Sequence, residues 1–72
     1  MKKYRCTLTS GSYLYYATVI AGDEQHAKEL AATQADSKWS GYSLASKPWN
    51  AAQLESSVSG PARVIDCDYK SL

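Results

Sequence analysis

The chain contains no phenylalanine, one histidine and two cysteines among 72 residues, and these shortages exclude several classes of protein. Two cysteines cannot form the framework of a disulfide-rich domain, and in the cytosol, the default location for this chain, both thiols are expected to be reduced. No run approaches the roughly 20 apolar residues of a membrane-spanning helix. No apolar stretch follows the charged start, as a signal peptide requires. These absences predict a cytoplasmic protein that does not contact the membrane.

The chain also lacks an excess of charge of either sign. Eight Lys and Arg residues are balanced by seven Asp and Glu residues, which gives a formal net charge of +1. Strong binding to nucleic acid depends on clustered cationic side chains. The balance of charges therefore argues against a nucleic-acid-binding protein and equally against an acidic protein that mimics DNA. The alternative function is a small nucleic-acid-binding accessory protein, with aromatic rings on bases and Lys2, Lys3 and Arg5 on phosphates.

Catalytic and cofactor motifs are absent: the chain has no Walker loop, no Gly-x-Gly-x-x-Gly and no Gly-x-Ser-x-Gly. His26 is predicted to face solvent and has no evident nucleophile or orienting acid. The two cysteines, Cys6 and Cys67, lack the close ligand spacing that announces zinc sites. Asp66 and Asp68 have no identifiable cleft for acid–base chemistry. The sequence therefore predicts a protein that is not an enzyme and holds no metal or cofactor.

Two strands are predicted at the start of the chain. Residues 3–9 alternate, with Tyr4, Cys6 and Leu8 on one face, which is the pattern of a half-buried strand. Ser-Gly-Ser at 10–12 predicts a turn, and residues 13–21 are rich in aromatic and β-branched side chains that favour a second strand. The short connection predicts an antiparallel hairpin.

Residues 22–39 predict a helix whose N-cap is Asp23. Its inner stripe is mostly alanine, which allows a helix to lie close to a sheet, and we expect Leu30 to be its main core anchor. Glu24 and Lys28 stand four residues apart and are predicted to pair on the outer surface. The members of the stripe are Ala27, Leu30, Ala31, Gln34, Ala35 and Lys38.

The second half of the chain has weaker patterns. Tyr42 and Leu44 alternate within residues 41–46, which predicts a short third strand. Pro48 suits the first turn of a helix, so residues 48–57 predict a short helix or an ordered loop. Residues 62–70 predict the final strand, and its two faces are Ile65, Cys67 and Tyr69 on one side and Val64, Asp66, Asp68 and Lys70 on the other.

The elements together predict a single α+β domain over residues 1–72, in the order β-β-α-β-(α or loop)-β, with one main helix packed on one face of an antiparallel sheet. If both cysteines face the helix, Lys3 and Arg5 share the outer sheet face with Asp66 and Asp68. Opposite charges on neighbouring strands contribute about 0.2–1 kcal/mol per pair. Two alternatives stay open: the first and last strands are neighbours, or both sets of charges are simply solvated.

Tyrosine is the abundant aromatic residue, with six Tyr, two Trp and no Phe. It is preferred where one end of the ring is buried and the other stays wet, as at interfaces. Tyr13 and Tyr15 are predicted to face the helix, and the opposite face of their strand has no helix to cover it. That face is predicted to bind a protein, unless residues 48–57 fold over it. The predicted binding residues are Leu14, Tyr16, Ile20, Arg5 and Trp49.

Residues 15–31, YYATVIAGDEQHAKELA, resemble a pattern common in small accessory proteins of phages and mobile elements, namely a strand, a polar cap and a short alanine-rich helix. Some anti-CRISPR proteins, which block CRISPR surveillance complexes of the host, share this strand-strand-helix layout with a final strand. The tail RVIDCD, residues 63–68, is similar to the C-terminal end of one type I-F inhibitor family. The resemblance implies a phage-encoded inhibitor that binds a larger bacterial protein or ribonucleoprotein complex in the host cytoplasm. Self-association as a homodimer is a further expectation.

Overall fold

Four antiparallel strands form one sheet in the computed structural model, which describes residues 1–72, and a single α-helix covers one face of it. The strands are β1 (Lys2–Ser10), β2 (Tyr13–Ala21), β3 (Asn50–Glu55) and β4 (Arg63–Ser71), the helix is α1 (Glu24–Lys38), and a 3-10 turn spans Leu44–Ser46. In space the strands run in the order β3-β1-β2-β4. The predicted α+β fold with one main helix on an antiparallel sheet is confirmed.

The β1–β2 hairpin closes through the predicted turn. Ser10 pairs with Tyr13, so only two residues connect the strands. Gly11 takes the first of these positions with a φ of 62°, which a type II′ turn requires and glycine adopts without steric cost. The alternation of the hairpin is as predicted, since Tyr4, Cys6 and Leu8 are buried on the side that faces α1.

Helix α1 begins at the predicted cap. The Asp23 carboxylate accepts the backbone N–H of His26 at 2.8 Å, which satisfies one of the donors left free at a helix start. The Lys28 ammonium lies 3.3 Å from the Glu24 carboxylate on the outer surface. After the last turn, Gly41 takes a φ of 98°, so the chain reverses where the sequence places Ser-Gly.

Alanines, and not Leu30, attach α1 to the sheet. The helix packs chiefly on β2, where Ala17 and Ala21 are also fully buried, so small side chains meet small side chains and the backbones approach closely. Leu30 packs against the core with only part of its surface. The expectation that Leu30 is the main anchor is therefore wrong. The buried residues of α1 are Ala27, Ala31, Ala32 and Ala35.

Residues 50–55 form the edge strand β3 and not the predicted short helix or loop. This strand fills the free edge of β1, with Ala51 opposite Cys6 and Ala52 opposite Arg5. The intrinsic preference of this segment is helical, because Ala, Gln, Leu and Glu are good helix formers. Pairing with the open edge of a strand satisfies the backbone hydrogen-bonding groups and overrides that preference. Residues 41–46 hold the 3-10 turn in place of the predicted third strand.

Strand β4 pairs with β2, so the alternative in which the first and last strands are neighbours is wrong. Cys6, Ala17 and Cys67 lie in one row across three strands, and both cysteines are buried in the core that α1 covers. A register shift opposite Thr18 and Val19 interrupts the alternation of β4. As a result Val64 packs against the core and Ile65 is 51% exposed, the reverse of the predicted faces.

The connection between α1 and β3 completes the core on the helix side of the sheet. Leu44 is fully buried and Trp49 is 5% exposed. The Trp49 indole N–H donates to the Leu44 carbonyl at 2.9 Å, and the Leu44 N–H donates to the Asp36 carboxylate at 3.1 Å. The Trp49 segment therefore packs in the core beside α1 and leaves the outer sheet face uncovered. Trp49 is a core residue and offers very little exposed surface to a partner.

Candidate protein-binding surface

The outer face of the sheet is less apolar than its sequence pattern indicates, because Ile20 is fully buried. The backbone N–H of Val58, in the β3–β4 loop, donates to the Met1 carbonyl at 2.8 Å, and Ile20 lies opposite Arg63, the first residue of β4. These contacts put the loop at the same end of the sheet as Ile20. Ile20 is thus removed from the predicted binding residues.

Arg5 organises the rest of the outer face into a polar network. Its guanidinium donates to the Thr18 hydroxyl at 2.7 Å, lies 3.6 Å from the Asp66 carboxylate, and stands 4.7 Å above the centre of the Tyr16 ring. The opposite charges predicted for the first and last strands therefore meet across the intervening strand β2. Tyr16 and Leu14 are half-buried, so neither side chain is fully exposed on this face.

A more exposed group of aromatic rings lies on the helix side of the sheet, and we call it the aromatic corner. Tyr13 and Tyr15 come from β2, Tyr69 from the facing position on β4, and Trp39 and Tyr42 from the chain just after α1. Tyr13 is 43%, Tyr42 63% and Tyr69 44% exposed, whereas Tyr15 is 6% exposed and forms the floor. These five side chains alone line a cavity of about 100 Å³.

The rings of the aromatic corner hold one another in place. The Tyr69 ring centre lies 5.2 Å from that of Trp39 at an interplanar angle of 85°, and 5.7 Å from that of Tyr13 at 76°. Such edge-to-face pairs contribute about 0.5–1.5 kcal/mol beyond the area they bury. Tyr15 packs on Trp39 at 5.4 Å. Four of the five rings are therefore positioned by one another before any partner arrives, and Tyr42 adds the most exposed ring beside them.

The polar atoms of the aromatic corner are free. No tyrosine hydroxyl takes part in a hydrogen bond within the protein, and neither does the Trp39 indole N–H. No buried side-chain polar atom lacks a partner, so these groups all reach solvent. Burial, helped by the neighbouring tyrosines, raises the pKa of the Tyr15 hydroxyl. The Tyr15 hydroxyl therefore stays protonated, and able to donate, at neutral pH.

Beside the aromatic corner, two side chains form hydrogen bonds with backbone groups of the edge strand β4. The Lys38 ammonium donates to the Cys67 carbonyl at 2.6 Å and stands 5.0 Å above the centre of the Trp39 ring. The Asp68 carboxylate accepts the Tyr69 N–H at 2.8 Å. Because unpaired strand edges invite pairing with another chain, these contacts protect the middle of β4 and leave the aromatic rings as its accessible surface.

The cysteines, the possible metal ligands and the second cavity offer no binding surface comparable to the aromatic corner. Cys6 is fully buried, and burial raises the pKa of its thiol to about 11; burial also raises the pKa of Cys67. No group of three or more His, Cys, Asp and Glu side chains is placed to hold a metal ion. A second cavity, about 350 Å³, is open to solvent between α1 and residues 45–49, and Lys28, Glu29 and Lys47 contribute mixed charge to it.

Of the predicted binding residues, the structure keeps Arg5, Leu14 and Tyr16 on one accessible face. Trp39, Tyr42 and Tyr69 were not among them, and the signal that points to the two tyrosines is the excess of tyrosine over phenylalanine. No helix is both long and apolar enough to cross a membrane. No protein-family model, curated protein or solved structure matches this chain.

Proposed function

We propose that this protein is a non-enzymatic binding module that attaches to a larger protein through its aromatic corner. One observation carries the proposal: Tyr13, Tyr42 and Tyr69 are each more than 40% exposed and adjoin the half-buried Trp39. Tyrosine and tryptophan dominate the residues that contribute most to protein–protein binding. A rigid aromatic surface also loses little conformational entropy when a partner covers it.

The resemblance of residues 15–31 and 63–68 to anti-CRISPR proteins supplies a candidate partner class. Within the proposal, the partner is a protein subunit of a bacterial CRISPR surveillance complex, and the module inhibits the complex by occupying its surface. The small size of the fold and its packed aromatic rings are compatible with such a role, since a preorganised surface lowers the ordering cost of binding.

The test compares two tyrosine truncations on opposite faces. Tyr42 is 63% exposed, so Tyr42→Ala leaves the fold intact, and Tyr16→Ala makes the same chemical change on the outer sheet face. Purified type I surveillance complexes are passed over immobilised wild type and both variants. Loss of a dominant interface residue weakens binding about thirtyfold or more, and we expect this for Tyr42→Ala alone.

The same experiment separates the alternatives. Loss of binding in Tyr16→Ala, with Tyr42→Ala unaffected, places the interface on the outer sheet face predicted from the sequence. Affinity of the wild type for single-stranded RNA or DNA that falls steeply with salt favours the nucleic-acid-binding alternative. If both variants bind the complex as well as the wild type, the aromatic corner is ordinary surface and the proposal is wrong.

A further inference from the structure

The aromatic corner combines apolar walls with hydrogen-bond donors. Its five lining residues supply four tyrosine hydroxyls and one indole N–H, and none of them carries a formal charge. None of these donors is engaged within the protein, whereas the other indole N–H, that of Trp49, already donates to the Leu44 carbonyl. A ligand with apolar groups and several acceptors matches this set, in which the indole N–H can only donate and each hydroxyl can donate as well as accept.

The charge next to the aromatic corner further restricts which ligands fit it. The face of an exposed indole attracts cations, but here the Lys38 ammonium already stands 5.0 Å above the Trp39 ring centre. A second cation in the same place would meet a like charge. The Lys38 ammonium also donates to the Cys67 carbonyl at 2.6 Å, so it is engaged and is not aimed at an anion. The complementary ligand is therefore neutral.

A proline-rich segment has these properties. Each proline carries a carbonyl but no N–H, and the polyproline II helix makes no internal hydrogen bonds, so all of its carbonyls are available as acceptors. Such helices are preformed and bind in aromatic-lined grooves with little loss of entropy. We propose that the aromatic corner binds a neutral, proline-rich segment of the partner in the polyproline II conformation, an inference that rests on the proposed function.

The test uses decaproline as the probe and the two tryptophans as reporters. In a proton–nitrogen correlation spectrum of the ¹⁵N-labelled protein, each indole N–H gives its own signal. Titration with decaproline is expected to move the Trp39 signal downfield in a saturable way, because its free N–H gains an acceptor. The Trp49 signal is expected to stay, since its N–H already has a partner 2.9 Å away. A glycine–serine peptide of equal length is the control ligand.

Two variants identify the groups involved. Tyr69→Phe keeps the ring and its packing but removes one donor, and loss of one neutral hydrogen bond weakens decaproline binding about fivefold. Tyr42→Ala removes an exposed wall of the cavity and is expected to weaken binding at least tenfold. Tyr16→Phe, which removes a hydroxyl outside the corner, is expected to leave the affinity unchanged.

Several results overturn the inference. The inference is wrong if the Trp39 signal does not move at millimolar decaproline. It is also wrong if the glycine–serine peptide moves the Trp39 signal as much as decaproline does. Tighter binding of tetramethylammonium than of decaproline shows that the corner takes a cation instead. If decaproline does not bind but Tyr42→Ala still loses the surveillance complex, the proposed function stands and only the choice of ligand is wrong.

Discussion

Substitution of Ala31 by leucine tests whether the fold depends on close contact between helix and sheet. Ala31 is fully buried in the middle of α1, and Ala17 on β2 is fully buried as well. An isobutyl group at position 31 has no free space, so it forces α1 away from β2 or forces side chains out of their preferred rotamers. Such overpacking costs about 1–3 kcal/mol.

That cost is large for this protein. A chain of 72 residues is expected to have a free energy of unfolding of roughly 4–11 kcal/mol, at about 0.05–0.15 kcal/mol per residue. For domains of this size each kcal/mol corresponds to about 4–8 °C in Tm. Ala31→Leu should therefore lower Tm by roughly 4–24 °C.

Urea unfolding followed by far-ultraviolet circular dichroism measures the change, and Gln34→Leu is the matched control. Gln34 is exposed on the same helix, so a leucine there adds the same side chain outside the contact and should change stability by less than about 0.5 kcal/mol. If Ala31→Leu is equally neutral, the helix and the sheet are not in close contact and the alanine stripe has another explanation.

The other predictions concern the margin of the core, the thiols and the helix cap. Leu30→Ala should cost about 1 kcal/mol in urea unfolding, because a half-buried leucine contributes about half of the 1.5–3 kcal/mol of a fully buried one; a loss above about 3 kcal/mol contradicts this placement. Burial raises the pKa of Cys6 from 9.0 to about 11, so its contribution to stability is present below pH 9 and is lost as the pH rises from about 9 to about 11. That loss should be on the order of 2–3 kcal/mol. The pH-dependent loss in Cys6→Ala should be smaller by this amount, while Cys67 and Tyr15, whose pKa values are also raised, still contribute. Thiol titration should be slow in the native protein and reach two groups on unfolding, and rapid labelling of both would show that the thiols are accessible. Asp23→Ala removes the bond to the His26 N–H and should cost about 1 kcal/mol in thermal unfolding, whereas Asp23→Asn should be nearly neutral.

Patterns within a few residues of the chain predicted β1, β2, α1 and its Asp23 cap, because alternation, the turn glycine and capping chemistry are local properties. The sequence predictions are wrong where the structure of a segment depends on residues far from it in the chain. Residues 50–55 form a strand only because β1 offers an unpaired edge. Ile20 is fully buried at the end of the sheet where a loop more than thirty positions later in the chain also lies.

The aromatic corner could not be predicted for the same reason. Its rings come from β2, from the chain after α1 and from β4, and they meet only because β4 pairs with β2. The sequence pattern put Tyr13 and Tyr15 in the core, which is correct for Tyr15, but Tyr13 stays 43% exposed at the end of its strand. Composition alone carried a signal, since tyrosine in place of phenylalanine indicates rings that keep contact with water.

The row formed by Cys6, Ala17 and Cys67 determines how the protein responds to oxidation. Two strand spacings of roughly 4.8 Å separate the α-carbons of the cysteines by about 9.6 Å, whereas a disulfide requires roughly 4.4–6.8 Å. Strand β2 lies between the two thiols and would have to leave the centre of the sheet before they could bond. The folded protein therefore cannot join its own two cysteines, and oxidising surroundings would not inactivate it by an internal cross-link.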